Sequence, residues 1–372
     1  AGTLAAPASR ARDLGGSMSQ YMFGSTDKLE PPKAPGAGAW GQTYAAPELG
    51  GPPAQPSGRK RALLIGCNYP GTQVELSGCA NDVHQMRELL ARLFGLPREA
   101  TRLLADDGEG SDGPPTRANV LEGLRWLVHD VQKGDSLFFH FSGHGAQQLD
   151  PDCAEEDGYD ETICPTDFRE AGMIVDGELF DALVAPLPAG AKLTVVMDCC
   201  HSGTGLDLPF TWDPVDRCWV EDDNPCHSAG DVQLISGCED SQTSADATAG
   251  GSSSSRWRAA GAMTSALCAC LEEAERWATP SSAQGLELQA ARLRRHLCYD
   301  ELIDRMHGKL AQRGFEQRPQ LTSSQAFDMA LRKPFGPCGE ALANQNPWLG
   351  RHFRRRKQAK PPQDDDFYAL AG

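Results

Sequence analysis

Two short stretches of the chain carry residues that could act as a nucleophile and a base. Residues 193–205 read LTVVMDCCHSGTG, an apolar run that ends in Asp198, a cysteine doublet and His201. Residues 135–145 read DSLFFHFSGHG, a second apolar run that ends in His144 between two glycines. A free thiol is only a few per cent thiolate at neutral pH, and a nearby imidazole raises that fraction and later protonates the leaving amine. The two stretches predict a Cys–His hydrolase, while a metal site and a disulfide are the alternatives.

The elements around these stretches alternate between strands and helices. Apolar runs bounded by turn residues predict strands at residues 61–67, 101–106, 135–145, 192–200 and 231–238, with an edge strand at 317–325. Helical spacing of apolar residues predicts helices at 79–95, 116–131, 176–187, 261–278 and 299–314. This alternation predicts a mainly parallel sheet buried on both faces, with the chemistry beyond the carboxyl ends of its strands.

Parallel strands bring their carboxyl ends to one edge of a sheet, so His144 and Cys200 are expected to face each other. Small residues flank both groups, at Gly143, Gly145, Ser202 and Gly203. We expect these small residues to let a substrate backbone approach closely. Backbone N–H groups near Cys200 and Gly145 would form an oxyanion hole.

The motifs HFSGHG and DCCHSG, with LSGCANDV upstream and GCEDSQTSAD downstream, resemble those of the metacaspases, relatives of the caspases. The resemblance covers roughly residues 59–335, and the Pro-rich segment before it is similar to that of the type I subgroup. It implies an α/β fold, a caspase-like three-layer sandwich whose mostly parallel central sheet has helices on both faces. It also implies a cysteine endopeptidase in which His144 is the acid–base group and Cys200 the nucleophile. Cys199 is then expected to pack on the other face of its strand.

Metacaspases cut after Arg or Lys, so the resemblance implies an acidic specificity pocket. The family's pocket residues fall on Cys79, Asp82, Ser142 and Asp198, all present here. The substrates implied are proteins or peptides with Arg or Lys before the scissile bond.

The stretch from 150 to 181 holds 12 acids and one base, a composition that suits either a solvated loop or a calcium site. The resemblance implies calcium activation through Asp160, Asp176 and Asp207. A fourth acid of the family falls on Gly177, with Glu178 beside it, so a weak site is expected. Calcium is the one cofactor that the resemblance implies, and no organic cofactor is expected.

Composition divides the chain into five regions. Residues 1–58 are predicted as a disordered Pro/Gly-rich arm, or prodomain, and residues 59–206 as a large catalytic region. Residues 207–230 are expected to form a linker, 231–340 a small-subunit-like region, and 341–372 a C-terminal tail. The tail carries six bases in ten residues and is either solvated or a patch for an acidic partner.

Exposed loops with basic residues are candidate sites of self-cleavage in a zymogen, because proteolytic nicking concentrates at loop tips. The candidates are Arg217, Arg256, Arg258, Lys60 and Arg61.

Charge and cysteine content narrow the classes of function. The 372 residues carry 51 acids against 35 bases, a net charge of −16 that disfavours binding to nucleic acid or an anionic membrane. No apolar run approaches the roughly 18 residues of a transmembrane segment. The 13 cysteines form no CxxC pair, which favours reduced thiols in a cytoplasmic location. A monomer is expected.

Two other hypotheses stay open at this stage. In one, the chain is a scaffold that binds partners through its Pro-rich arm, with a dormant catalytic half; the intact dyad and pocket argue against it. In the other, a zinc module is built from Cys199, Cys200, His201, Cys226 and His227, although paired ligand spacing is missing.

Overall fold

A computed structural model of the chain describes residues 58–149, 159–199, 205–222, 225–237, 246–248, 259–278, 297–315, 317–330 and 353–355. These residues belong to one compact unit, Thr43–Gly372. The predicted nucleophile Cys200, its neighbour His201, the Pro-rich arm up to residue 57, and the cleavage candidates Arg256 and Arg258 lie outside the described residues.

The described strands form three sheets. In chain order they are β1 Lys60–Gly66, β2 Thr101–Ala105, β3 Ser136–Ser142, β4 Gly145–Leu149, β5 Tyr159–Ile163, β6 Ile174–Val175, β7 Lys192–Asp198, β8 Phe210–Asp213, β9 Cys218–Glu221, β10 Asp231–Ser236, β11 Asp246–Thr248, β12 Ala259–Gly261, β13 Gln320–Ser323 and β14 Phe353–Arg355. The main sheet has the order β14-β9-β8-β13-β10-β7-β3-β1-β2. The five consecutive strands β10, β7, β3, β1 and β2 run parallel to one another, as predicted.

Strand β7 lies inside the parallel part of the sheet, and all seven of its residues are buried. A strand covered on both faces reads as a continuous apolar run, which is why LTVVM stands out in the sequence. Alternate residues along it enter two different hydrophobic clusters, Val196 in one and Val195 in the other.

Six helices of the described part of the chain cover the two faces of the sheet. They are α1 Cys79–Phe94, α2 Arg117–Val128, α3 Phe168–Ala171, α4 Asp176–Leu179 with a π turn at Phe180–Val184, α5 Ala262–Ala278 and α6 Tyr299–Gln312. Helices α1, α5 and α6 pack in one cluster, and α2 with the π turn packs in the other. The three-layer fold predicted from the sequence is confirmed. None of the described helices is long and apolar enough to cross a membrane.

The local sequence explains where the first two helices begin and end. Helix α1 ends at Gly95, whose φ of 61° is a left-handed conformation that glycine adopts without strain. Helix α2 begins after Thr116, whose Oγ1 accepts a hydrogen bond from the backbone N–H of Asn119.

The prediction of an edge strand at residues 317–325 is wrong. Strand β13 lies between β10 and β8 inside the main sheet and is antiparallel to both. The reason is that the segment predicted as a linker, 207–230, contains the hairpin β8–β9, which extends the sheet beyond β13. Strand β14, from the predicted tail, then pairs in parallel with β9.

A small antiparallel sheet, β4-β5-β6, follows the end of β3. It was not predicted, because its strands are short and its central strand reads YDETI, with acids at two of five positions. This sheet organises part of the acid-rich stretch near the catalytic edge of the main sheet.

Candidate active site

Strands β3 and β7 end side by side at the edge where the sequence predicts the chemistry. In their parallel register, Ser142 pairs with Asp198, and the N–H of Gly143 donates to the carbonyl of Asp198 at 3.3 Å. His144 and Cys200 each stand two residues beyond a matched pair of strand ends. The described residues directly after β7 end at Cys199. The position of Cys200 relative to His144 is therefore inferred from the register of β3 and β7.

The imidazole of His144 is held by a backbone carbonyl. Its Nε2 lies 2.8 Å from the carbonyl oxygen of Val74, and the residue is 4% exposed. A carbonyl can only accept a hydrogen bond, so Nε2 must carry the hydrogen. The neutral ring then has its lone pair on Nδ1, and Nδ1 is the nitrogen available for proton transfer.

Cys199 is a core residue. It is 1% exposed and belongs to the hydrophobic cluster beneath helix α2. A thiol in such surroundings stays protonated and packs as a small apolar group.

Two of the predicted pocket residues, Asp82 and Asp198, are buried carboxylates that accept hydrogen bonds from neighbouring groups. The hydroxyl of Ser142 donates to Oδ2 of Asp82 at 2.6 Å, and the N–H of Gly261 donates to the same oxygen at 2.9 Å. The N–H of Thr264, in the first turn of α5, donates to Oδ2 of Asp198 at 2.7 Å. Asp82 is 0% exposed and Asp198 is 4% exposed.

The two carboxylates approach each other across Gly261. A Cβ atom on Gly261 would lie 2.2 Å from Oδ2 of Asp198 and 2.9 Å from Oδ2 of Asp82. Both oxygens therefore lie within 3 Å of a single point, and they leave no room for a side chain on residue 261. Burial and then the negative charge of Asp82 raise the pKa of the Cys79 thiol well above its ordinary value, so this fourth pocket residue is neutral.

Beneath the pocket lies a second, neutral histidine. Nε2 of His140 is 3.2 Å from Oγ1 of Thr264, and the side chain is fully buried. Burial lowers the pKa of His140 to about 3, so the ring adds no positive charge beside the acids. Sequence reasoning missed His140, Gly261 and Thr264. Strand alternation places His140 on the face of Ser142 and was the one available signal.

Comparison with known proteins decides the family. The model of the family described as "Metacaspase, peptidase C14 domain" matches residues 60–209. Metacaspase-1A of Aspergillus fumigatus is 36% identical over 320 residues, which cover 74% of this chain and 71% of the relative. This chain belongs to the metacaspase family. It is a cysteine-type endopeptidase, and its substrates are proteins or peptides.

Other relatives agree on the family. Metacaspase-5 of Trypanosoma cruzi is 39% identical over 302 residues, covering 77% of this chain and 62% of the relative. The crystal structure of caspase-1 from Spodoptera frugiperda matches with 13% identity and a TM-score of 0.38, over 75% of this chain and 90% of the other. A score that low supports no conclusion about the metacaspase's activity.

A cluster of acids in this metacaspase surrounds Asp176, which is 2% exposed. One of its carboxylate oxygens accepts from the N–H of Glu161 at 2.8 Å and the other from the N–H of Gly177 at 2.7 Å. Burial, followed by the negative charges of Asp207 and Glu161, raises the pKa of Asp176 far above its ordinary value of 3.8. Asp176 and Asp207 were predicted as neighbours, and Glu161 is an acid that sequence reasoning missed.

The other two acids considered for calcium are held elsewhere. Asp160 neighbours Glu161 on β5, where alternation puts it on the opposite face, and it accepts from Nε2 of Gln148 at 3.3 Å. Both carboxylate oxygens of Glu178 accept from Arg117 at 2.7 Å, so this side chain is engaged in an ion pair. Over the described ranges, no group of three or more His, Cys, Asp or Glu side chains is arranged to hold a metal ion.

Gly143 has its Cβ side against the interior of the protein. A Cβ atom on Gly143 would lie 2.9 Å from the ring of Phe141, 3.0 Å from the hydroxyl of Tyr69 and 3.2 Å from Cβ of Cys67. The space beside Gly143 is therefore filled by the interior of the protein.

Three of the five cleavage candidates lie in ordered structure. Lys60 and Arg61 belong to β1, which is paired on both sides. Arg217 ends the turn between β8 and β9, where its guanidinium lies 3.5 Å from Asp304 and 3.9 Å from Asp300.

The zinc hypothesis finds no support in the part of the metacaspase that is described. Cys199 is packed in the core, whereas His227 lies 3.7 Å from Glu221 and contacts the ring of Phe210. Cys226 packs, half-buried, against the same core cluster as Cys199.

Proposed function

We propose that this metacaspase cuts peptide bonds after Arg or Lys, with Cys200 as nucleophile and His144 as acid–base group. The observation that carries the specificity is the meeting of Asp82 and Asp198 within 3 Å of one point at the catalytic edge. Two buried carboxylates this close favour a bound cation between them, because their mutual repulsion is relieved by a positive charge.

Three hydrogen-bond donors approach the carboxylate oxygens of the pocket, namely one hydroxyl and two backbone N–H groups. A substrate guanidinium or ammonium group would gain about 1.5–3 kcal/mol for each charged hydrogen bond. A substrate Asp would instead meet like charges, at a cost of several kcal/mol.

In the proposed reaction, Nδ1 of His144 takes the proton from Sγ of Cys200, and the thiolate attacks the scissile carbonyl carbon. The tetrahedral oxyanion collapses to a thioester when the imidazolium gives its proton to the leaving amine. Water, deprotonated by the same nitrogen, then attacks the thioester, and the thiol leaves with a carboxylic acid as the product. The carbonyl of Val74 keeps the proton on Nε2 throughout, so the base is always Nδ1.

The test uses a matched set of fluorogenic peptides that differ at one residue: Arg, Lys, citrulline or Asp before the scissile bond. Citrulline has the size of Arg without its charge, so the Arg-to-citrulline ratio of kcat/KM isolates the electrostatic term. We expect Asp82→Asn to lower kcat/KM for Arg by about 10- to 100-fold, in line with one charged hydrogen bond. The citrulline rate should change much less.

Asp213→Asn is the matched control, because this acid caps the turn of the β8–β9 hairpin. Equal rates for Arg and citrulline in the wild-type protein would contradict the acidic-pocket proposal. No turnover of any peptide by correctly folded protein would instead favour the scaffold hypothesis.

We further propose that calcium activates the enzyme through Asp176, Asp207 and an acid of β5, either Asp160 or Glu161. The support is the charge repulsion around Asp176, which a hard divalent cation would relieve. Bound calcium would connect β5 and the segments that follow β6 and β7 at the catalytic edge. Because Glu178 is paired with Arg117, backbone carbonyls or water would have to supply the remaining oxygens.

Calcium binding can be measured apart from activity by calorimetric titration of a Cys200→Ala protein, which cannot cut itself. Adding Asp176→Asn to this protein should weaken calcium binding at least tenfold. Comparing the calcium affinities of the Glu161→Gln and Asp160→Asn proteins identifies which acid of β5 takes part. Asp216→Asn, in the hairpin turn, is the control. Unchanged heats in the Asp176→Asn protein would exclude this site.

A further inference from the structure

Tyr69 is a buried side chain in the loop between β1 and α1, and the reaction outlined above gives it no role. It is 1% exposed, and its backbone φ is +53°. A left-handed conformation in a bulky aromatic residue is uncommon and has to be maintained by its surroundings. The question is what this strained, buried tyrosine holds in place.

The hydroxyl of Tyr69 links two backbone segments at the catalytic edge. It accepts a hydrogen bond from the N–H of His144 at 3.0 Å and donates one to the carbonyl oxygen of Cys164 at 2.6 Å. It also lies 3.0 Å from where a Cβ of Gly143 would sit, so the strand end needs glycine there. The hydroxyl thus fixes the peptide that carries the imidazole.

The ring of Tyr69 also contacts the imidazole itself. The two ring centroids are 4.9 Å apart with an angle of 31° between the planes. Together with the bond from Nε2 to Val74, this contact leaves the imidazole little freedom to rotate about its side-chain bonds. Val74 and Tyr69 belong to the same loop, so one segment sets both the tautomer and the orientation of His144.

Asp106, just after β2, holds this loop in shape. Its Oδ2 accepts from the backbone N–H groups of Asn68 and Tyr69, each at 2.8 Å. The carbonyl of Asn68 in turn accepts from the N–H of Leu76 at 2.7 Å, which closes the loop. These bonds offset the cost of the left-handed conformation.

We propose that Tyr69 is a positioning residue that aims Nδ1 of His144 at Cys200; the inference rests on the proposed dyad. The hydroxyl fixes the backbone of His144 and the ring fixes the plane of its imidazole. Burial raises the pKa of Tyr69 well above its ordinary value, so the hydroxyl keeps its proton and its bond to Cys164 at every pH at which a peptidase works.

The central variant is Tyr69→Phe, which keeps the ring and removes the hydroxyl. Since a displacement of about 1 Å at a reacting group can cost about 100-fold in rate, we expect kcat to fall about 10- to 100-fold with KM almost unchanged. Tyr299→Phe is the matched control: Tyr299 is equally buried but packs on Phe327 in the other core cluster. It should keep wild-type kcat.

A second readout does not depend on peptide cleavage. The pH dependence of Cys200 alkylation by iodoacetamide reports the thiolate–imidazolium pair, and we expect its midpoint to shift toward that of a free thiol in Tyr69→Phe. Asp106→Asn weakens the hydrogen bonds that hold the loop but keeps Tyr69, and it should shift the alkylation midpoint in the same direction. This second variant keeps the test decisive if Tyr69→Phe does not fold.

The outcomes separate the two proposals. Wild-type kcat and an unshifted alkylation profile in a folded Tyr69→Phe protein would overturn the positioning role, as would an equal loss in Tyr299→Phe. A shifted profile in a protein that shows no preference for Arg or Lys peptides would support Tyr69 and reject the acidic pocket. If Cys200→Ala left alkylation unchanged, the dyad itself would be wrong.

Discussion

His140 and His144 lie four residues apart at the end of one strand, and their contacts give the two imidazoles different chemistry. His140 is enclosed by apolar neighbours and contacts a hydroxyl of Thr264, so burial keeps its ring neutral. His144 lies at the edge of the sheet, where a carbonyl fixes its tautomer and an aromatic ring fixes its plane. Position beyond the end of β3 therefore distinguishes the candidate base from the structural histidine.

At the residue scale, we expect the two cysteines of the doublet to respond differently to removal of their sulfur atoms. Cys200→Ala should abolish turnover and leave the melting temperature nearly unchanged. Cys199→Ala should keep turnover and lower the free energy of unfolding by about 1 kcal/mol, because it leaves a small cavity in a packed core. Peptide hydrolysis and urea unfolding of the two proteins measure both quantities. An inactive Cys199→Ala protein beside an active Cys200→Ala protein would reverse the assignment.

At the element scale, the junction of β12 and α5 supplies backbone donors to the two acids of the proposed specificity pocket. We expect Gly261→Ala to lower kcat/KM for Arg peptides by about 100-fold or more, because its Cβ would lie closer to Asp198 than any real Cβ contact allows. Alkylation of Cys200 should stay at the wild-type rate, since His144 is held by Tyr69 and Val74 in a different part of the chain.

Gly308→Ala is the control for that variant. Gly308 lies inside α6, and a Cβ there would meet nothing within 4 Å. This substitution should raise the free energy of unfolding by up to about 1 kcal/mol and leave activity unchanged. If Gly261→Ala cleaved Arg peptides at the wild-type rate, the junction would have no part in specificity.

The hairpin β8–β9 bears on the predicted sites of self-cleavage. We expect no cut after Arg217, because its side chain is ion-paired and the next residue begins a strand whose Trp219 is fully buried. Arg256 and Arg258 stand beside a Gly/Ser-rich stretch and are the expected sites.

N-terminal sequencing of fragments checks this. Arg217→Gln should leave the fragment pattern as in the wild type, whereas Arg256→Gln with Arg258→Gln should remove the main cut. A fragment that begins at Cys218 would contradict the expectation.

Sequence patterns predicted those helices and strands whose buried residues follow a regular spacing within a single element. The spacing of Val83, Met86 and Leu90 predicted α1, and the run LTVVM predicted β7, because each element is buried by a regular repeat. The positions of Asp82 and Asp198 followed from the family motifs, and the structure joins both to neighbouring hydrogen-bond donors.

Features that depend on contacts distant in sequence could not be predicted. Tyr69 and His144 are 75 positions apart, and Gly261 is 179 from Asp82, so no local repeat links either pair. The place of β13 inside the sheet depends on the hairpin β8–β9, whose strands of four residues are too short for a clear periodic signal. Glu161 was not predicted because it is one of many acids in this stretch, and nothing in the local sequence YDETI indicates that it lies near Asp176.

At the scale of the whole molecule, two buried groups give stability opposite dependences on pH. Burial lowers the pKa of His140 to about 3, so the unfolded chain binds an extra proton below about pH 6.5 and stability falls as the pH drops. Without a cation, the raised pKa of Asp176 means that the folded chain keeps a proton which the unfolded chain has lost above 3.8. Above about pH 7.5 His140 is neutral in both states, so between pH 7.5 and 8.5 Asp176 alone of the two contributes, and stability falls as the pH rises.

We therefore expect the free energy of unfolding in chelator to decrease from pH 7.5 to 8.5, and Asp176→Asn to flatten this slope. Saturating calcium should flatten it too, because an ionised Asp176 would then be stabilised by the cation. Urea unfolding at several pH values, using the inactive Cys200→Ala background, measures both effects. A slope that is the same in the Asp176→Asn protein would show that another group is responsible.

The specificity pocket takes its walls from distant parts of the chain, and this has a consequence for a protein still being synthesised. A ribosome releases His144 and Cys200 well before Gly261 and Thr264, which supply the donors to Asp82 and Asp198. At translation rates of roughly 5–20 residues per second, the nascent chain passes through an interval of several seconds with both reacting groups made and the recognition site unfinished. The order of synthesis thus leaves Asp82 and Asp198 without these two donors until the second half of the chain has folded onto the first.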